Sequence, residues 1–156
     1  MNVQSLVTAI VISLVAVGSA AAAGAKPAEG FALHIDAKLH FPSKPDIIAH
    51  HYCKPVARGL TECLLFESDQ PDARLVGVET IVGPDTYAAF SAEEKAMWHY
   101  HKVEVPKVSA TLPDLSAEEA KKVVDSILET YGKVYVLWDP GKNDGPTGSP
   151  SVSILK

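Results

Sequence analysis

The amino-acid sequence predicts an α+β fold: one small domain with a largely antiparallel sheet, two or three helices packed on it, and a signal peptide in front. Three observations predict it. Several short β-branched runs are separated by proline and glycine punctuation, two Ser-x-x-Glu signatures mark helix starts, and one stretch repeats apolar residues at helical spacing. At 156 residues, 47% hydrophobic and 21% charged, the chain has the length and composition of one globular core rather than two, and of a folded rather than a disordered chain.

The elements follow in order. Leu6 to Val17 is apolar apart from Thr8 and Ser13, and the first charged side chain is Lys26. That apolar length suits the h-region of a signal peptide and falls short of a bilayer span. The small-residue run Ser19 to Ala23 supplies the cleavage pattern, so residues 1–23 read as a signal peptide, 24–30 as a flexible lead-in and 31–156 as the domain. The expected location is therefore exported, periplasmic or extracellular. Phe31 to Ala37 reads as a first strand, ended by Pro42 and Pro45. Ile47 to Cys53 and Thr61 to Glu67 flank the turn-like Pro55 to Gly59 and predict a hairpin. Arg74 to Val82 predicts a further strand stopped by Gly83-Pro84, and Pro84 to Phe90 a short helix with proline in its first turn.

Ser91-Ala92-Glu93-Glu94 and Ser116-Ala117-Glu118-Glu119 each have the capping-box pattern, in which serine bonds the N3 amide and glutamate returns to the serine amide. The second opens a helix with apolar Ala120, Val123, Val124, Ile127, Leu128 and Tyr131, for which Gly132 is the expected stop. Lys133 to Trp138 predicts a closing strand. The Pro- and Gly-rich tail from Asp139 to Pro150 predicts no regular element.

Composition also excludes functions. The formal net charge is −5, with 14 basic and 19 acidic residues, and no long basic run offers replacements for phosphate counterions. Nucleic acid is thereby excluded as a partner, and an anionic lipid surface is disfavoured. The chain has no nucleophile-elbow, phosphate-loop or dinucleotide-binding glycine pattern.

Two cysteines, Cys53 and Cys63, fall opposite each other if the hairpin turns about Arg58, where an oxidising compartment permits a bridge. Buried free thiols, or one thiol acting as ligand or nucleophile, are the alternatives. The chemistry lies in the histidines, all six of which fall between His34 and His101. His50 and His51 occupy opposite faces of an extended segment, whereas His99 and His101 share a face if their segment is a strand. Joined by a hairpin histidine and a carboxylate such as Glu79 or Glu104, they give the nitrogen and oxygen donors that zinc or a similar divalent metal takes. Glu79 sits among apolar strand residues, and a buried carboxylate needs a positive or donor partner. The competing account places the histidines in an aromatic cluster with Tyr52 and Trp98, with Tyr135 and Trp138 as further aromatic lining or as core.

Four strings, taken together and in this order, resemble the plant oil body-associated protein family and its bacterial relatives: His50-His51-Tyr52-Cys53, Ala73 to Glu79, Glu93 to His101, and Tyr131 to Trp138. The resemblance runs from about Phe31 to the C-terminus. It implies a domain of unknown function, plant members of which are lipid-droplet-associated, and its recurring motifs hold the same histidines, cysteines and glutamate. This chain departs from the plant pattern in its signal peptide and in Val136, where plant members tend to have histidine.

Three functions are compatible with these residues. The first is an exported module that binds a metal or small ligand through His50, His51, Glu79, His99 and His101. The second is a metal-dependent hydrolase with Glu79 or Glu104 as base. The third is a non-catalytic lipid-interface or structural protein.

Overall fold

Short β-branched runs bounded by Pro and Gly cannot hold their polar backbone alone, and here they satisfy it by pairing in one antiparallel sheet. The structure, a computed structural model, describes residues 27–142, 145 and 147–155. The expected signal peptide, the first three residues of the lead-in, and Asn143, Asp144 and Pro146 of the tail lie outside the described residues. The strands are β1 (Leu33–Ala37), β2 (Ala49–Pro55), β3 (Thr61–Phe66), β4 (Leu75–Val82), β5 (His99–Tyr100), β6 (Tyr131–Val136) and β7 (Ser151–Ser153). They lie in the order β1-β2-β3-β4-β6-β5, with β7 also on β6. Strands β5 and β7 share the outer edge of β6, the first beside Tyr131 and Gly132, the second beside Val134 to Val136.

Four α-helices are described: α1 (Pro84–Ala88), α2 (Ala92–Lys95), α3 (His101–Glu104) and α4 (Ala117–Ile127). The fold is the α+β sheet domain the pattern predicts, with one helix more than expected because three of the four are a single turn or little longer. Proline stands at the start of α1 as predicted. Ser116 and Glu119 form the reciprocal capping box of α4. At α2 only half of the box forms: Ser91 accepts from the Glu94 amide, but the Glu94 carboxylate instead takes Trp98 Nε1–H and Lys133 Nζ, both at 2.8 Å. A charge-assisted partner outcompetes the serine amide.

One expectation about the C-terminal half is corrected. Helix α4 stops at Ile127, not at Gly132. Thr130 closes it by bonding Ile127 O, and Tyr131 and Gly132 already belong to β6. The tail is followed by β7, whose three residues pair with β6 and supply backbone partners that no side-chain pattern announces.

The hairpin places Cys53 opposite Cys63 with Cα atoms 4.0 Å apart, and the two are joined in a disulfide. A ten-residue closure of this kind stabilises by about 2–3 kcal/mol. On the same face lies the core, made of Phe41, Ala49, Leu65, Val76, Val134 and Trp138 around the bridge. A one-residue slip in the β3–β4 register, between Leu65 and Phe66, lets buried Val76 join this core. Complete burial of a side chain such as Leu65 contributes about 2 kcal/mol.

After β5 the chain crosses the core face through α3 to the opposite edge of the sheet. There Thr111 exchanges backbone hydrogen bonds with Asp36 of β1. That crossing segment roofs the site.

Candidate functional site

Alternation along β4 turns Glu79 to the core face, beside Cys63 on β3 and Val134 on β6 in the register. A carboxylate 5% exposed at the middle of a sheet is tenable only with donors or cations against it. Three imidazoles supply the contacts. His99 Nε2 and His101 Nε2 stand 3.2 and 3.3 Å from Oε1, and His51 Nε2 stands 3.5 Å from Oε2. His51 arrives from β2, His99 from β5 and His101 from the start of α3. The two histidines of His99-Tyr100-His101 therefore converge across a strand-to-helix junction, not along one strand face as the spacing predicts.

The other ring nitrogens decide what each imidazole offers. His51 Nδ1 lies 2.9 Å from Ala49 O and 3.1 Å from Ile35 O, so it carries the hydrogen. His101 Nδ1 faces Thr130 Oγ1 at 2.7 Å, and that hydroxyl already spends its proton on Ile127 O, so His101 Nδ1 is the donor there too. His40, edge-on to His51 with ring centroids 4.6 Å apart, donates Nδ1–H to Lys38 O at 2.8 Å. In their neutral forms all three rings leave Nε2 as a bare lone pair.

Burial pushes the His40 pKa down to about 3, helped by the neighbouring His51, so this ring is neutral. Burial likewise lowers His51, with Glu79 only partly opposing it. Burial alone would raise Glu79, but protonated His101 and His99 would hydrogen-bond it through Nε2–H, and these bonds together with the charge hold it well below the ordinary carboxylate range. Burial depresses His99, yet its bond to Glu79 and the charges of Glu79 and Glu104 outweigh that and raise it. Glu104 is pushed up to about 7, chiefly by burial. An ionised Glu79 therefore faces the lone pair of a neutral His51, which is repulsive unless a positive charge lies among them.

Two further features fit that requirement. His99 Nδ1 and Glu104 Oε1 are buried with no hydrogen-bond partner among the described residues, and Glu104 Oε2 approaches His99 Nε2 at 3.8 Å. A cavity of about 40 Å³ lies against the cluster, bordered by His40, His51, Glu79, His101 and Glu104 and by the disulfide. Gly132 makes the room. A Cβ there would stand 2.1 Å from Glu79 Oε1, 2.5 Å from His99 Nε2 and 2.7 Å from His101 Nε2. Donor atoms of His40, His51 and Glu79, and of Glu79, His99 and His101, gather in two groups that each span no more than 4.8 Å and share Glu79.

Of the sequence candidates, His51, Glu79, His99 and His101 come together here, and His50 does not. It lies on the opposite face of the sheet, paired in register with Asp36 of β1. The aromatic candidates scatter. Tyr52 stacks on His34 at 4.5 Å, and Trp98 packs on Phe90 at 5.1 Å. Trp138 is a core residue whose Nε1–H donates to Leu75 O, and Tyr135 is exposed. Sequence reasoning passed over His40, which sits in an irregular loop, and Gly132, which reads as a helix stop. It also passed over Asp36, although His34-x-Asp36 on a strand puts both on one face.

A family model described as "Protein of unknown function (DUF1264)" matches residues 25–154. Oil body-associated protein 1B of Arabidopsis thaliana is 34% identical over 108 residues, which is 68% of this chain and 44% of that protein. Oil body-associated protein 2A of Zea mays is 27% identical over 150 residues, 94% of this chain and 60% of that protein. The chain spans about half the length of the curated relatives it matches. No solved structure matches.

Proposed function

The chain belongs to the DUF1264 family, and from that premise we propose that it is a binding module whose buried cluster holds one divalent metal ion, zinc or a similar one. The observation that carries this reading is the set of Nε2 atoms turned on Glu79 while the Nδ1–H groups of His51 and His101 are committed to oxygen acceptors. That division of labour within each ring is what metal-ligating histidines use, because the outer hydrogen bond fixes the tautomer and aims the free lone pair. The separations of 3.2 to 3.5 Å between Glu79 oxygens and imidazole nitrogens suit ligands about 3.3 Å apart around a tetrahedral zinc. Enclosure of the cluster favours holding an ion over turning over a bulky substrate.

The metal-dependent hydrolase is the second reading, favoured by one observation. Glu104 Oε1 is buried beside the cluster with no partner, where a carboxylate could take a proton from a metal-bound water. The setting we propose is an exported, oxidising one, which the Cys53–Cys63 bridge supports. The relatives' names associate those proteins with oil bodies, so a lipid surface enters as the competing partner.

Elemental analysis of the untagged chain beside a His99→Ala, His101→Ala double variant tests the proposal. Metal in the native protein that falls by one ion per chain in the variant supports it. A native metal content unchanged in the variant overturns it. So does no metal after incubation with zinc, manganese, iron and copper salts; binding to neutral lipid droplets would then support the lipid reading. N-terminal sequencing of the secreted or periplasmic product tests export, with Ala23 or Gly24 as the expected first residue.

A further inference from the structure

Period-2 geometry puts His34 and Asp36 on one face of β1, and the β1–β2 register sets His50 directly across from Asp36. These three residues face away from Glu79. His50 Nδ1 lies 2.6 Å from Asp36 Oδ1, His34 Nε2 lies 2.9 Å from the same oxygen, and the two nitrogens are 3.4 Å apart. Yet Asp36 Oδ1 is buried and accepts no hydrogen bond of proper geometry from either ring. Three ligand-type atoms crowd one point, and the ring geometry leaves the oxygen without a hydrogen bond among the described residues.

The rings are held from outside. His34 Nδ1 faces Asp114 Oδ2 at 3.2 Å, which gives that nitrogen the hydrogen and leaves Nε2 with its lone pair toward Asp36 and His50. Asp114 is brought there by the backbone bridge between Asp36 and Thr111. Tyr52 covers the His34 ring in a near-parallel stack at 4.5 Å. A carboxylate behind a histidine, with the ring's other nitrogen aimed at a carboxylate and a second imidazole, is the outer-shell order of a metal site.

We propose that His34, Asp36 and His50 form a second divalent-metal site, on the opposite face of the sheet from the buried cluster, with Asp114 as a positioning residue. Its donors are two imidazole nitrogens and one carboxylate oxygen, a set that suits zinc, copper(II) or nickel over calcium or magnesium. Asp36 and His50 keep 19% and 13% exposure, so water or a small anionic ligand can complete the coordination. The proposal is independent of the buried cluster, because the two share no side chain.

Zinc titration of the full-length chain, followed by calorimetry, separates the two sites. The native protein is expected to take two ions. A His34→Ala, His50→Ala double variant is expected to take one, keeping the ion lost in the His99→Ala, His101→Ala variant. Asp114→Asn is expected to weaken the outer ion about 10- to 100-fold without changing the stoichiometry at saturation. Native stoichiometry and affinity in the His34→Ala, His50→Ala variant would overturn the proposal, and one ion per native chain that this variant retains would do the same. Imidazole ¹⁵N shifts of the unaltered protein give a check that needs no variant. Zinc-induced shifts at His34 and His50 support the outer site. Shifts confined to His51, His99 and His101 refute it while upholding the buried one.

Discussion

His50 and His51 are chain neighbours, yet they serve two clusters in different surroundings, one on each face of the sheet. His51 meets Glu79 in a core where both are nearly inaccessible, while His50 meets Asp36 where water still reaches. The chemistry is alike, imidazole nitrogens against one carboxylate. The solvent is not. Behind the sheet every unmet charge bears its full desolvation cost, so the cluster must be complete. In front, water and Asp114 share the load, and the same groups can be lost with little consequence for the fold.

The largest test of that contrast is to remove each carboxylate. Glu79→Ala strands buried imidazoles and is expected to destabilise the protein by about 3–5 kcal/mol in urea unfolding. Asp36→Ala is expected to cost less, about 1 kcal/mol, because Asp36 and His50 are partly solvated and only His34 is buried. Equal losses would erase the distinction between the faces.

Removing the disulfide comes next. Cys53→Ala with Cys63→Ala is expected to cost about 2–3 kcal/mol by the same assay. Because both sulfurs border the cavity, it should also weaken the buried ion while leaving the outer one. An outer ion weakened as much as the inner would show that the bridge acts on the sheet as a whole.

Gly132→Ala sharpens the comparison at one methyl group. The added Cβ overlaps Glu79, His99 and His101, so a cost of about 1–3 kcal/mol and loss of the buried ion are expected, with the outer ion untouched. The smallest effect on stability is expected from His34→Ala, about 1 kcal/mol by thermal or urea unfolding: the buried ring and its Tyr52 stack are lost, but Asp36, His50 and Asp114 keep access to water. Its zinc affinity should nonetheless fall at least tenfold, a separation of binding from folding that the buried cluster cannot show.

What was legible in the sequence followed from periodicity and local stereochemistry. The β-branched runs, the hairpin about Arg58, the proline at α1 and the Ser116–Glu119 box each specify their element within a few residues. The family resemblance, too, rested on strings that can be read off the chain, and the family model matches over the same domain. Glu79 stood out because a carboxylate in an apolar strand needs a partner. Gly132 misled because glycine answers two different needs: a left-handed helix stop, and room for a neighbour's side chain. Only the position of Glu79, His99 and His101 above it tells which applies. Helix α2 starts at Ser91 as the pattern has it, but its capping box stays half-formed because Glu94 found a lysine 39 residues away that local pattern could not foresee.

The sequence by itself determined the α+β class, the five strands β1 to β4 and β6, the main helix and the opposite facing of His50 and His51, since all of these depend on residues within one element or one hairpin. Tertiary structure decided which histidines meet. Strand order sets β5 beside β6, carries α3 over the core face and returns Thr111 to the edge of β1, and those long-range pairings divide the histidines between two carboxylates. Backbone hydrogen bonds between distant segments fix that division, and they carry no side-chain signature in the chain that makes them.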